Sequence, residues 1–290
     1  VFLGHGTGNY RDEAAQLVWH ALELPWGPVT AGDGPVREYA RRVTLAGETK
    51  VRELVRRRIE ERIPGVYLTR RTWFAGLPFY VDERVLIPRS PIAELIERRF
   101  APWVEPQAVR RILDLGTGSG CIAIACARAF PQARVDAVDL SAAALEVAQR
   151  NVRRYRLSRR VKLRLSDHFS ALRQATYDMI VTNPPYVGAR EMRSLPPEYR
   201  HEPRLALASG KDGLDSVRVI LREAGRHLRP GGLLVVEVGH SDRAVRRTFP
   251  GLPCVWLEFE RGGGGVFLIG ADELAAYTAR RPSARRARGA

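Results

Sequence analysis

The sequence predicts an α/β protein built on a doubly wound, seven-stranded, mostly parallel sheet, preceded by a small all-helical domain and a β-hairpin linker. Three observations carry this. From residue 91 onward, short apolar runs alternate with amphipathic helical runs, the pattern of successive βαβ units. Before residue 64 the apolar residues recur at helical spacing. Between these regions an aromatic and β-branched stretch is split by Gly-Leu-Pro, as in a hairpin. A chain of 290 residues also exceeds what one compact core usually holds, which favours a main domain with a smaller companion.

Each element follows from its residues. "NYRDEAAQLVWHALEL" (9–24) sets Ala15, Leu17, Val18, Leu22 and Leu24 at roughly helical spacing, with Asn9 or Asp12 as caps. "PWGPVTAGDGP" interrupts the pattern, which resumes from Val36 to Ile63. Residues 37–71 hold eleven basic and five acidic side chains, which describes an RNA-facing or protein-facing surface, or simply a solvated helix face. The expected divisions are a helical domain over 1–70, a linker over 71–90, the α/β domain over 91–272 and a basic disordered tail over 273–290. Pro91 opens "PIAELIERRFAPWV", a helix with Ile92, Leu95, Ile96 and Phe100 on one side.

Seven strands are read in "RRILDLG" (110–116), "ARVDAVDLS" (133–141), "VKLRLSD" (161–167), "YDMIVTN" (177–183), "GGLLVVEVG" (231–239), "CVWLEFE" (254–260) and "GVFLIG" (265–270). Helices are read in "SGCIAIACARAF" (119–130), "AAALEVAQRNVRRY" (142–155) and "DSVRVILREAGRHL" (215–228). In such a sheet the ligand sits at the carboxyl ends of the strands.

Apolar residues at 45% and charged residues at 27% are ordinary globular values, and no apolar run approaches the roughly 18 residues a membrane span requires. No charged segment followed by an apolar run marks a secretion signal, so a cytoplasmic protein is expected. Cys121, Cys126 and Cys254 lack zinc-site spacing and are odd in number, which points to core packing with neither metal nor redox chemistry. The formal charge of +15 makes an anionic partner, nucleic acid or ribonucleoprotein, plausible. A genome rich in G and C would inflate arginine in the same way.

Candidate site residues lie at the first four strand ends. The first strand runs into "DLGTGSGC", with Asp114, Gly116, Thr117, Gly118, Ser119 and Gly120 forming a turn where glycine lets backbone approach a ligand. No Gly-Lys-Ser/Thr follows, so this is not a P-loop, and the spacing departs from GxGxxG. The second strand ends in Asp139 and Leu140, where a carboxylate can accept both hydroxyls of a ribose or cap the next helix, a task open to Ser141 as well. At the third, Asp167 can accept from an adenine amine or cap its turn, and His168 or Phe169 can lie on the ring. The fourth ends in "TNPPYV", where Asn183, Pro184, Pro185 and Tyr186 form either a plain β-turn or a site.

Taken together, "DLGTGSG", Asp139, Asp167 and "NPPY" resemble the class I S-adenosylmethionine-dependent methyltransferases, over roughly residues 91–272. That resemblance implies S-adenosylmethionine as cofactor. "NPPY" is similar to enzymes that methylate planar, weakly basic nitrogens: adenine amines in DNA, guanine amines in RNA and glutamine amides in protein. The NH2 of such a group offers two hydrogens, which the Asn183 side-chain oxygen and the Pro184 carbonyl can accept. The two prolines restrict the backbone so that the carbonyl stays aimed, and Tyr186 can pack on the flat amide.

"LPPEYRHEPRLALASGKDGLDSVRVIL" (195–221) resembles the segment after "NPPY" in the glutamine-amide methyltransferases of the release-factor type, through Glu202-Pro203, Leu205 to Leu207 and "GKDGLD". "VLIPRSP" matches their Ile-Pro-Arg run. Those enzymes usually read Ile-Pro-Arg-Pro-Asp-Thr-Glu there and have Trp after the third-strand Asp. This chain has "IPRSPIAE" and "SDHF", and its first helix follows "GHGTGNYRDEAAQLV", which resembles the sister enzymes acting on a glutamine of large-subunit ribosomal protein L-three. The resemblance implies a ribosomal protein substrate, met within an assembling large subunit, with contact to ribosomal RNA as a use for the charge. The competing readings are an adenine-amine methyltransferase using the same residues, and a non-catalytic assembly protein that retains the cofactor.

Overall fold

The computed structural model describes residues 1–3, 9–24 and 42–280, and its elements begin and end where local chemistry dictates. Helix α1 (Tyr10–Ala21) starts at Asn9, whose side chain accepts from the Asp12 amide at 2.9 Å. Helix α2 (Leu45–Glu60) starts at Thr44, whose hydroxyl accepts from Gly47 at 3.1 Å. The earlier part of the expected helical run, up to residue 41, lies outside the described residues, as do residues 281–290 of the expected tail. Along α2 the cations are met by carboxylates: Arg52 by Glu48 at 2.7 Å, and Arg56 by Glu53, Glu60 and Glu61 at 2.7 to 3.0 Å. The charge run there is an ion-paired, solvated face.

A short buried helix, α3 (Gly65–Thr69), leads into the hairpin β1 (Arg71–Phe74) and β2 (Leu77–Tyr80). The turn is Ala75-Gly76, with Gly76 at φ +71°, so Leu77 and Pro78 of the expected turn belong to the strand. Helix α4 (Ile92–Glu97) is shorter than its pattern, because Arg99 and Phe100 take left-handed backbone. Ile92, Ile96 and Phe100 still reach the core. The rest alternates as β3 (Arg111–Leu115), α5 (Cys121–Ala129), β4 (Arg134–Asp139), α6 (Ala142–Arg154), β5 (Val161–Leu165), β6 (Tyr177–Thr182), α7 (Asp215–Glu223), β7 (Leu228–Glu237), α8 (Asp242–Thr248), β8 (Val255–Leu257), β9 (Val266–Gly270) and α9 (Ala271–Ala279).

The strands form one seven-stranded sheet in the order β5-β4-β3-β6-β7-β9-β8, parallel from β5 to β7 and antiparallel at β9 and β8. Alternate residues feed two cores, because successive side chains in a strand point to opposite faces. Ile112, Val135, Met179 and Val235 pack with α4 and α5, while Leu113, Leu115, Ile180 and Val236 pack with α7 and α9. Both faces are covered, which is why these strands read as nearly continuous apolar runs.

Two features depart from the expected divisions or add to them. The segment expected to be disordered from residue 273 begins inside α9, where Leu274 is fully buried against the second core, so the folded chain continues to Ala279. The N-terminal helices are fastened to the α/β domain by a buried ion cluster. Arg58 donates to Glu13 at 3.0 Å, to Glu198 at 3.3 Å and to the Phe2 carbonyl at 2.7 Å, and the Phe2 amide donates to Glu198 at 2.8 Å. No helix among the described residues is long and apolar enough to cross a membrane.

Candidate active site

The sheet order reverses between β3 and β6, and a cavity of about 270 Å³ opens there at the carboxyl ends of the strands. Gly116 and Gly118, both with positive φ, form its floor after β3. A Cβ on Gly118 would meet nothing within 4 Å, so the turn presents bare backbone to open space. Asp139, at the end of β4, holds that turn. One of its oxygens accepts from the Gly118 amide at 2.8 Å and the other from the Ser141 amide at 2.9 Å. Ser141 caps α6 through the Ala144 amide at 3.2 Å, which leaves the Asp139 carboxylate facing the cavity with lone pairs to spare. Burial raises the Asp139 carboxyl above its ordinary value. Leu140 also lies on the wall.

Four residues of the expected set stand behind the wall. Asp114 is fully buried and accepts from the Thr117 hydroxyl at 2.5 Å and the Ala123 amide at 3.0 Å, which ties β3, the turn and α5 together. Burial pushes its carboxyl up to about 7. The Ser119 carbonyl accepts from Asn151 at 2.9 Å, and Gly120 (φ +80°) lies against Ala148 of α6. Asp114, Thr117, Ser119 and Gly120 therefore shape the glycine turn and do not line the cavity.

Past β5, Asp167 and His168 both line the cavity, with the His168 Nδ1 and an Asp167 oxygen 2.6 Å apart. Phe169 does not lie on a ligand ring. It is buried and stacks on His227 at 4.7 Å, because the next side chain along the turn points into the second core.

The end of β6 is locked to β3 by the Thr182 hydroxyl, which donates to the Leu115 carbonyl at 2.7 Å. Asn183, Pro184 and Pro185 form the facing wall. The Asn183 Oδ1 is shielded from solvent and has no hydrogen-bond partner, and no hydrogen bond among the described residues reaches the Pro184 carbonyl. Unpaired buried acceptors are rare, because each costs about 1 to 3 kcal/mol in lost solvation.

What holds this loop is the segment from Leu207 to Gly213, together with Ser241. The Val187 amide donates to Leu207 at 2.8 Å and the Ser209 amide to Val187 at 2.9 Å, while Ser241 donates to the Tyr186 carbonyl at 2.9 Å. Gly213, at φ +82°, passes so near that carbonyl that a Cβ would sit 2.3 Å from it. Tyr186 lies outside the cavity wall. Its ring rests on Gly239, where a Cβ would come within 2.6 Å, and burial and Glu237 both raise its hydroxyl.

Sequence reasoning missed part of the lining. Arg84, Val85 and Leu86 of the linker, together with Pro203, Leu205 and Ala206, close the cavity. Their signal was present in the Ile-Pro-Arg and Glu-Pro motifs. Arg89 donates to both oxygens of the buried Glu202 at 2.8 and 3.1 Å and lies 5.3 Å over the Tyr199 ring. That pair joins the linker to the segment after "NPPY". Glu237, bonded to Ser90, has its carboxyl pushed up to about 7 by burial.

Chemically, the site combines open backbone and a carboxylate pair on one side with unpaired acceptors on a rigid loop opposite. Residues 98–195 match the family described as "Methyltransferase small domain". The chain is 49% identical over 275 residues to the ribosomal protein uL3 glutamine methyltransferase of Bordetella pertussis, covering 94% of this chain and 90% of that one. It is 47% identical over 276 residues to the enzyme of the same description from Neisseria meningitidis serogroup B, covering 94% and 88%. Among solved structures, a methyltransferase from Pyrococcus furiosus aligns with a TM-score of 0.51 at 20% identity, over 68% of this chain and 89% of that one, a likeness of fold. With such identity across nearly its whole length, the chain belongs to the family of ribosomal protein uL3 glutamine methyltransferases.

Proposed function

We propose that the protein transfers a methyl group from S-adenosylmethionine to the side-chain amide nitrogen of a glutamine in large-subunit ribosomal protein uL3. One observation carries the chemistry: the Asn183 side chain lines the cavity and its shielded Oδ1 has no hydrogen-bond partner. Relatives described as uL3 glutamine methyltransferases support the choice of amide and protein.

The residues present suit the cofactor. Asp139 would accept from the ribose hydroxyls, the bare Gly116 to Gly118 backbone would lie along the amino acid portion, and Asp167 would meet the adenine amine beside His168. When bound, S-adenosylmethionine supplies a methyl group on a sulfonium, a leaving group that needs no acid.

The chain's own residues do the rest. Asn183 Oδ1 and the Pro184 carbonyl accept the two amide hydrogens and aim the nitrogen at the methyl carbon, so catalysis is positioning. Holding those hydrogens on acceptors also returns electron density to a nitrogen whose lone pair is drawn toward its carbonyl. As the nitrogen gains the methyl it releases one of its two protons to water in the open cavity, leaving a neutral secondary amide. Tyr186, held on Gly239, fixes the exit of the loop.

An adenine amine could use the same two acceptors, and a release-factor glutamine is the nearer alternative. Glutamine of uL3 is favoured by the family. A ribosomal substrate sets the protein in the cytoplasm and gives the +15 charge a use beside ribosomal RNA. Incubation with labelled cofactor and uL3, followed by mass spectrometric mapping, tests the reading. Label on one glutamine is expected, and label on adenine or on a different side chain overturns it.

A further inference from the structure

Part of the basic excess is neutralised locally. The cations of α2 are ion-paired, and Arg84, Arg218, Arg229 and Arg261 each meet a carboxylate. A hollow of about 510 Å³ is different: Arg70, Arg71, Arg150 and Arg154 line it with His20 and Tyr80, and no carboxylate does. Arg70, Arg150 and Arg154 are exposed, with no carboxylate partner among the described residues. The nearby Glu23 is paired with Lys50 at 3.6 Å. Burial, and then the neighbouring Arg154, holds the Arg71 guanidinium below its ordinary value, as expected where cations face one another.

Two plain causes fall short. The carboxyl end of a helix favours cations, which accounts for Arg154 in the last turn of α6 but not for Arg70 and Arg71, which arrive from α3 and the hairpin. An arginine-rich composition would scatter charge, whereas four arginines converge on one hollow. Aromatic faces lie among them. The Arg150 guanidinium sits 3.6 Å over Tyr80, and that of Arg71 sits 5.5 Å over Trp73, a residue that is 45% exposed.

We propose that this hollow is a docking site for the phosphate backbone of RNA. Guanidinium forks match phosphate oxygens in pairs, and an exposed Trp beside them offers a stacking face to an unpaired base. A basic protein substrate would be repelled from the same place. The position also fits. Ser141 and Ala144 at the start of α6 line the cavity, and Arg154 at its other end lies about 15 Å along the helix from Ala144. RNA in the hollow leaves the cavity mouth open to a protein loop. Asn151 makes the link rigid, since it bonds the Tyr80 amide, the Tyr80 carbonyl and the Ser119 carbonyl, each at 2.9 Å. The inference deepens the proposed function and rests on it for the ribosomal setting alone.

The test is fluorescence anisotropy of the full chain with a fluorescein-labelled RNA hairpin, titrated between about 50 and 200 mM salt. Arg70→Gln/Arg154→Gln should weaken binding at least about tenfold and make the plot of log Kd against log salt shallower by roughly 1.4 to 1.8. Arg70→Lys/Arg154→Lys should keep the slope, and Arg222→Gln on α7 should match the wild type. Unchanged affinity in the double Gln variant, an equal loss in Arg222→Gln, or displacement of the RNA by polyglutamate at equal charge overturns the proposal. Methyl transfer to isolated uL3 is measured alongside. Its absence from the wild type sinks the glutamine reading and leaves the RNA result standing.

Discussion

Replacing Asn183 with Ala should move activity and stability in opposite directions. The Asn183 Oδ1 is buried without a partner, so the resting protein carries a desolvation cost of about 1 to 3 kcal/mol at that atom. Truncation removes the cost and loses the packing of a half-buried side chain, for a net change between zero and about 2 kcal/mol in favour of folding. In a domain of this size each kcal/mol moves Tm by about 2 to 4 °C, so Tm should hold or rise by a few degrees. Activity should fall. A preorganised acceptor removed from a reacting group typically costs about 2.7 to 4 kcal/mol, or 100- to 1000-fold in kcat. Single-turnover transfer at saturating cofactor measures the rate, calorimetric titration the cofactor affinity, and scanning calorimetry the Tm. Cofactor affinity should change by less than about threefold, because Asp139 and the glycine turn are untouched. Transfer near the wild-type rate, or a Tm that drops by several degrees, would refute the reasoning and make Asn183 a structural turn residue.

Four further outcomes follow from the geometry. Asp139→Ala frees the Gly118 and Ser141 amides, so titration should show cofactor affinity falling at least about tenfold, with a smaller change in KM for protein substrate. Gly213→Ala forces a Cβ against the Tyr186 carbonyl at φ +82° and should cost about 2 kcal/mol or more, read by calorimetry, with loss of transfer exceeding loss of cofactor binding. Arg58→Met leaves the buried Glu13 without its ion-pair partner and removes one of the two cations on Glu198, and should loosen the N-terminal helices by about 3 to 5 kcal/mol, seen as faster amide exchange in α1 and α2. Burial raises the Asp114 carboxyl to about 7, so the folded state holds a proton that the unfolded chain has released, and stability falls as pH rises from about 4 to 7. Asp114→Asn should flatten that part of the denaturation profile, and a steeper profile would contradict the assignment.

The fold was legible because both faces of the sheet are covered, so strands such as "RILDL" and "YDMIVT" read as apolar runs bounded by glycine or proline. Helix α9 was missed. Its buried anchors, Ala271 and Leu274, are few, and the arginines that follow disguise them. The strand-end positions Asp139, Asp167 and Asn183 were legible from spacing to strands, and they share one cavity. Spacing does not tell which neighbour of a strand-end residue faces the ligand. That is why Asp114 and Thr117 turn out to brace the turn, and Phe169 to join the core. Tyr186 was expected over the amide and lies against Gly239, a contact 53 residues away in sequence that no local pattern encodes. The Arg58 cluster was equally hidden, since Arg58 sits among surface arginines of the same helix and differs from them only in what packs above it.

The central claim is that this site, with its two waiting acceptors, acts on a glutamine amide of uL3. It is tested most directly by measuring kcat/KM side by side for uL3, a release factor and an adenine-containing oligonucleotide, with the methylated atom mapped in each. The account predicts transfer to a glutamine side-chain nitrogen and the highest kcat/KM for uL3. A release factor methylated faster than uL3, or methyl groups found on adenine, would contradict it.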